Sequence, residues 1–263
     1  MRIALDVSVD ELMKTYNNKE KIIEHYDFVS PYYHSLWGEH LHHGYWITGK
    51  ETKEKAQLAL TEHLAQVANI EPGSKILDVG CGFGASSIYL AQKYNAETTG
   101  ITISSVQVKM AQEAATKTNT NSRFVIMDAE AMMFDRPFNV IWSIESISHY
   151  KDIEKFFNKA CQLLLPNGTV AVIDWFKKEH LSADKYKKYI LPIEKGMMVE
   201  LHTMGDYISI VKSKGLEIIK SEDISKNTAK TWDISLEIIR DRMLWQLAVK
   251  SGKEFVNFLR SFR

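Results

Sequence analysis

The sequence predicts an α/β protein: a doubly wound, mainly parallel sheet with an N-terminal helical lid and a helical insertion after the fifth strand. Three observations predict it. Short apolar runs alternate with amphipathic stretches from about residue 75 to 175, the first of those runs ends in a glycine-rich turn, and the segment before it keeps a helical period. Strands covered by helices on both faces are near-continuously apolar, and regular strand–helix alternation means parallel pairing.

The elements follow in order. "ETKEKAQLALTEHLAQVANI" sets Ala56, Leu60, Leu64 and Val67 on one helical face, and "EPGSK" then breaks the chain. "KILDVG" is the first buried strand and "ASSIYLAQKY" its helix. "AETTGIT" is the second strand, and "SSVQVKMAQEAATK" is a helix with Ser104 or Ser105 as N-cap. "RFVIMD" and "FNVIWSI" are the third and fourth strands. "KDIEKFFNKACQLL" is a helix with Ile153, Phe157, Ala160 and Leu164 in register, and "PNG" turns into a fifth strand, "TVAVIDW". The alternation then lapses. Residues 176–205 read as a helical insertion that would sit above the strand C-termini, where open α/β sheets bind ligands. "GLEIIKSEDI" is a sixth strand, and "DISLEIIRDRMLWQLAVK" and "KEFVNFLRSFR" are helical. The chain divides into a lid segment, 1–70, and a main domain, 71–263, that carries the insertion.

A chain of 263 residues, 45% hydrophobic, suits one large domain. Its 33 basic residues equal its 33 acidic ones, which gives no general attraction to nucleic acid or anionic membrane. The basic runs "FKKEH" and "KYKKY" read as solvated helix faces. No apolar stretch approaches the ~20 residues of a membrane span. The N-terminal "MRIALDVSVDELMKTYNNKE" is broken by acids and does not read as a signal peptide. Cys81 and Cys161 stand in no metal spacing and read as reduced thiols of a cytoplasmic protein.

The turn "LDVGCGFGAS" places Gly80, Gly82 and Gly84 between a strand and a helix. G-x-G-x-x-A over 80–85 also satisfies a dinucleotide fingerprint. Asp78 argues against that, because a carboxylate at the strand end repels a pyrophosphate but attracts an ammonium or a sulfonium. The second strand also closes on Ile101 and Thr102 rather than on an acid for a ribose diol, and Glu97 lies early in it. S-adenosylmethionine (SAM) fits better: it carries no phosphate, and its methionine carboxylate suits a helix N-terminus.

"ILDVGCGFGASSIYLAQKYNAETTGITIS" resembles motif I and its sequel in class I SAM-dependent methyltransferases. "LWGEHLHHGYW", "GITISSVQ" and "WSIESISHY" resemble the γ-tocopherol methyltransferase-like group, near the sterol and cyclopropane-fatty-acid methyltransferases; the likeness covers about residues 22–215. It implies the Rossmann-like methyltransferase fold and SAM as cofactor. It implies that Asp78, Gly80 and Gly82 line the methionine part of SAM, that Thr102, Ile103 and Gln107 surround the ribose, and that Asp128 and Ala129 meet the adenine. Ser143 would end the fourth strand beside the sulfonium, with Glu145 and His149 on the substrate side. Two departures stand out. Ser148 occupies the place of an acid just before the histidine, and no antiparallel seventh strand follows "GLEIIKSEDI", which suggests a truncated chain.

The same resemblance makes "WGEHLHHGYW" a lid over the methyl donor, with His42, His43, Gly44, Tyr45 and Trp46 as its contacts; aromatic rings suit a sulfonium. Tyr32 and Tyr33 cover SAM or simply pack. A metal reading of Glu39, His40, His42 and His43 competes, but adjacent residues point apart on an extended chain, so no metal is expected. Met197, Met198, Leu201 and Met204 line an apolar acceptor pocket or belong to ordinary core, and His202 is a surface histidine.

The function expected is SAM-dependent methylation of a small, largely apolar acceptor: a prenylated aromatic, an isoprenoid or an alkaloid-like metabolite. "ESISH" sets Glu145 four residues before His149, so a helical turn there would let Glu145 orient His149 as general base. Two other classes remain: methylation coupled to cyclisation or pericyclic chemistry on the same fold, and a non-catalytic SAM-binding module. Nucleic acid is excluded as partner by the lack of a basic stripe and of a base-flipping motif. No integral membrane segment is expected, and nothing in the sequence fixes an oligomeric state.

Overall fold

The computed structural model describes residues 19–251, with 256 and 259. The N-terminal stretch 1–18 and most of "KEFVNFLRSFR" lie outside these. The order of elements is α1 (Lys19–Trp37), α2 (Lys53–Val67), β1 (Lys75–Val79), α3 (Ala85–Tyr94), β2 (Glu97–Thr102), α4 (Ser105–Thr118), β3 (Ser122–Ile126), β4 (Phe138–Ile144), α5 (Ile153–Leu163), β5 (Leu164–Ile173), α6 (Leu191–Met197), α7 (Met204–Ser213), α8 (Lys230–Ile238) and α9 (Arg242–Ser251).

The five strands are all parallel, in the order β3-β2-β1-β4-β5. The chain builds outward from β1 to β3, then crosses back to lay β4 on the other side of β1. A crevice opens at that reversal, above the C-terminal ends of β1 and β4, and a doubly wound sheet binds ligands there.

Strand alternation divides the core into two layers. Leu77, Val79 and Ile141 face α5, where Phe156, Phe157 and Ala160 are almost fully buried. Ile76, Val140 and Trp142 face the other way, against Leu60 and Leu64 of α2 and Leu90 of α3. A third cluster lies off the sheet: Val29 of α1 packs with Ile239, Leu244 and Ala248 from the C-terminal helices.

Caps fix the helix starts. Ser104 accepts the Gln107 amide to open α4, Asp152 accepts that of Lys155 to open α5, and Thr203 and Asp206 form a reciprocal capping box on α7.

Two expectations are corrected. "GLEIIKSEDI" forms no strand. Its charges are spent on side-chain pairs, Lys220–Glu222 and His63–Glu222, and Ile219 is 75% exposed, so no apolar face presses the segment onto the sheet. "PNG" does not precede β5 but lies inside it: the pairing passes from Phe138↔Leu164 to Val140↔Thr169, and Asn167 takes the left-handed conformation within the bulge. Within 176–205 the helical parts are Ala183–Met197, in a turn of α-helix, a π-turn over Tyr186–Ile190 and α6, and the start of α7 at Met204. No helix among the described residues is long and apolar enough to cross a membrane.

Phe156 is completely buried between the sheet and α5. Phe156→Ala is expected to lower the unfolding free energy by about 3–5 kcal/mol, read from urea midpoints at unchanged m-value.

Candidate active site

A cavity of about 260 Å³ opens above the C-terminal ends of β1 and β4. Asp78, Gly80 and Gly82 line one end, with Ile101, Thr102, Ile103, Gln107 and Ala129. The other end is walled by Ile22, Val29 and Tyr33 of α1, by Met197, and by Ile238, Ile239 and Leu244 of the C-terminal helices. That apolar wall comes from both ends of the chain.

Asp78 is 3% exposed. It accepts the Ser87 hydroxyl at 2.6 Å, and no ion pair to it is found among the described residues. Burial raises its carboxyl to about 6. A buried carboxylate without a cation, at the edge of a cavity, is matched by an ammonium. The glycines around it are required by packing. Gly80 lies at φ 79°, and a Cβ there would sit 2.3 Å from the Ser146 side chain; Gly84, also at φ 79°, would meet Phe124 at 2.5 Å. Ser146 is fixed in turn by the Val79 carbonyl, the Ser143 hydroxyl and the Tyr150 hydroxyl. At the next strand, Thr102 donates to the Gln107 side chain at 2.7 Å.

The segment "WGEHLHHGYW" folds over this end. Gln57 of α2 donates to the carbonyls of His40 and His42 at 2.7 and 3.1 Å, and Leu41 rests on Gly82. The histidines form a hydrogen-bonded chain. His42 donates Nδ1–H to the His43 carbonyl, so its Nε2 accepts from His40 Nδ1–H at 3.0 Å. Burial lowers both rings, His40 to about 3. No group of three metal-ligating side chains converges among the described residues.

Glu145 ends β4 at φ 52°, a left-handed conformation that costs a non-glycine residue on the order of 1 kcal/mol. There its carboxylate accepts both the backbone amide of His43 and Nδ1–H of the His43 ring, the latter at 2.8 Å. Burial pushes Glu145 up, but the charge and hydrogen bonds of His43 outweigh it and hold the carboxyl below its usual value. The His43 ring stands edge-on to Trp175 and Trp232, 5.2 Å from each centroid.

The expected Glu145–His149 pair does not form. The left-handed turn at Glu145 delays the helix, and only Ile147–His149 completes a 3-10 turn, so the two side chains do not share a face. His149 Nδ1–H instead donates to the Met198 carbonyl at 3.1 Å, and its Nε2 accepts from the Tyr26 hydroxyl at 2.9 Å. Burial lowers the ring to about 4. Ser148, where an acid was expected, donates its amide to Asp174, which burial raises to about 7.

Of the other predicted residues, Tyr33 and His43 line the cavity. Gly44, Tyr45 and Trp46 do not: the Gly44 amide donates to Thr231, Tyr45 stacks on His63, and Trp46 is buried against the Glu51 carbonyl. The Gly44 backbone and the Tyr45 and Trp46 side chains anchor the 37–46 segment rather than face its underside. Ser143 is fully buried behind Ser146, and Asp128 pairs with Lys19 of α1 at 2.6 Å instead of facing the cavity. Met198 contributes only its carbonyl, Leu201 is core and His202 bridges to Phe176. Sequence reasoning missed Tyr26, Trp175, Trp232 and the walls from α8 and α9. The acid and tryptophan closing "VIDW" were the available signal for Asp174 and Trp175; the helical walls left none.

Residues 13–261 match the family model described as mycolic acid cyclopropane synthetase. The chain belongs to this family. Family relatives include the 27-O-demethylrifamycin SV methyltransferase of Amycolatopsis mediterranei (strain S699), 34% identical over 81% of this chain and 79% of the relative. They also include the chloroplastic tocopherol O-methyltransferase of Arabidopsis thaliana, 30% identical over 92% of this chain and 73% of the relative. Among solved structures, the cyclase SpnF superposes with a TM-score of 0.82 at 24% identity, covering 92% of this chain and 88% of that one. A mycolic acid cyclopropane synthase solved with S-adenosylhomocysteine (SAH) gives 0.73 at 20% identity, covering 84% and 82%. This family member is a SAM-dependent methyltransferase of small molecules, and SAM is its methyl donor.

Two outcomes follow from the donor end. Asp78→Ala is expected to weaken SAH binding at least ~10-fold by calorimetry, since a charged hydrogen bond is worth roughly 1.5–3 kcal/mol. The wild-type affinity is expected to fall as pH drops through about 6, because the carboxylate must lose its proton to meet an ammonium, and Asp78→Asn is expected to flatten that dependence. For the lid, Gln57→Ala removes two hydrogen bonds and is expected to speed amide exchange of Gly44 and Tyr45 with SAH bound.

Proposed function

We propose that this enzyme methylates a hydroxyl group of a small, lipophilic acceptor such as a prenylated aromatic, an isoprenoid or an alkaloid-like compound. The observation that carries the reading is the apolar acceptor end, walled by Ile22, Val29, Met197, Ile239 and Leu244, beside a few buried polar groups. An apolar enclosure with sparse polar groups binds an apolar body and orients one polar function. The names of the two relatives, one acting on a rifamycin and one on tocopherol, support the same class.

The donor sits at the Asp78 end. The Asp78 carboxylate would take its ammonium, Gly80 and Gly82 would make room for its methionine part, Thr102, Ile103 and Gln107 would hold its ribose, and Ala129 its adenine. When bound, SAM supplies an electrophilic methyl group whose bonding pair leaves on sulfur. The protein's own work is alignment and exclusion of water: α1 and the 37–46 segment roof the cavity, and the C-terminal helices close its side. Two free thiols, Cys81 and Cys161, fit a reducing compartment and a cytoplasmic enzyme.

The test is incubation with methyl-labelled SAM and 27-O-demethylrifamycin SV, a tocopherol or a lipophilic metabolite extract, read by mass spectrometry. One labelled methyl on oxygen, with one SAH formed per product, is expected. An isomerised product with no SAH would establish the pericyclic alternative, and label on nitrogen or carbon would replace the hydroxyl class.

A further inference from the structure

We infer that His43, held by Glu145, is the general base of this site, and that Trp175 binds the acceptor oxygen beside it. The inference rests on the proposed hydroxyl acceptor. It starts from the state of two of the five histidines that line the cavity, His149 and His43. His149 has both ring nitrogens committed, Nδ1 to the Met198 carbonyl and Nε2 to the Tyr26 hydroxyl. No lone pair on that ring faces an acceptor while α1 is seated. His43 is arranged the other way. Its Nδ1–H is taken by Glu145 at 2.8 Å, its backbone amide binds the same carboxylate, and no hydrogen bond to Nε2 is found among the described residues. With Nδ1 carrying the proton, the lone pair is on Nε2. His43, Glu145 and Trp175 all line the cavity. A carboxylate that fixes one imidazole nitrogen and leaves the other open is the base-and-orienter arrangement of nucleophile activation.

Trp175 supplies the second observation. Its indole Nε1 is buried and has no partner among the described residues, although the ring stands 5.2 Å from that of His43, edge-on. Buried donors are almost always satisfied, so this one calls for an acceptor atom that the protein does not provide. A hydroxyl answers both groups: its proton points to His43 Nε2, and its oxygen accepts from Trp175 Nε1–H. In the reaction the acceptor O–H bond breaks and the proton goes to Nε2; the pair left on oxygen forms the bond to the methyl carbon as the methyl carbon–sulfur bond breaks, its pair leaving on sulfur as SAH. The imidazolium is balanced by Glu145 and returns its proton to water when the product leaves. The left-handed conformation of Glu145, φ 52°, is what aims its carboxylate at the lid rather than at His149.

The test has an arm that needs no acceptor. In the SAH-bound enzyme with nitrogen-15 histidine, the neutral His43 ring is expected as the Nδ1–H tautomer, a preference that Glu145→Ala is expected to remove by taking away the acceptor at Nδ1. A neutral wild-type ring with its proton on Nε2 would overturn the assignment, as would a tautomer that Glu145→Ala does not move. The kinetic arm uses 27-O-demethylrifamycin SV. His43→Gln is expected to lose ~10²–10⁴-fold in kcat and the acidic limb of the kcat–pH profile, with SAH affinity unchanged within threefold. His43→Ala is expected to be partly rescued by added imidazole. His149→Gln is expected to keep the acidic limb, and loss of that limb there but not in His43→Gln would overturn the inference. Trp175→Phe is expected to raise KM for the acceptor without moving the limb. If the wild type methylates no hydroxyl compound, the proposed acceptor class fails, and the tautomer of His43 still decides the base.

Discussion

The charge on Glu145 is the constraint around which the front of this molecule is organised. It ends β4 where water is excluded, and a buried carboxylate left alone would cost several kcal/mol. Its own turn cannot satisfy it, because the left-handed backbone points it away from the following 3-10 turn. The partner comes from His43, about a hundred positions earlier. Bringing it there draws the whole 37–46 segment across the sheet edge, where Gln57 fastens two of its carbonyls and Leu41 lands on the glycine turn. One buried carboxylate, hydrogen-bonded to the ring and the backbone amide of His43, thus seats the roof of the cavity.

The sheet beneath makes that seating productive. Parallel order β3-β2-β1-β4-β5 puts the ends of β1 and β4 side by side, so Asp78 and Glu145 open into one crevice. Their environments push them apart. Asp78 meets no cation and is raised to about 6, whereas Glu145 is held below its usual value by His43. One carboxylate therefore has no cation beside it among the described residues, and the other already holds two hydrogen-bond donors from His43.

The strand alternation, the caps and the glycine turn were readable because each is local. Ile76 and Leu77 part to opposite faces by the period of a strand, and Ser104 caps α4 with a bond three residues away. The sixth strand was misread for the same reason: its apolar residues fit a strand, but a strand exists only where a neighbour pairs with it, and here no strand among the described residues pairs the segment while its charged groups pair as side chains, Lys220 with Glu222 and Glu222 with His63.

The sequence by itself determined the sheet, the position of Asp78 and the glycine turn, and the fact that a histidine-rich stretch had some special task. Periodicity and the steric demands of Gly80 act over a few residues, so they are written in neighbouring letters. Only the tertiary structure decided which histidine Glu145 holds, why Gly44, Tyr45 and Trp46 anchor the 37–46 segment rather than line the cavity, and that α8 and α9 wall the apolar end of that cavity. Those outcomes depend on groups far apart in the chain competing for one buried charge and one apolar space, and the winner of such a competition is set by distance in the folded molecule.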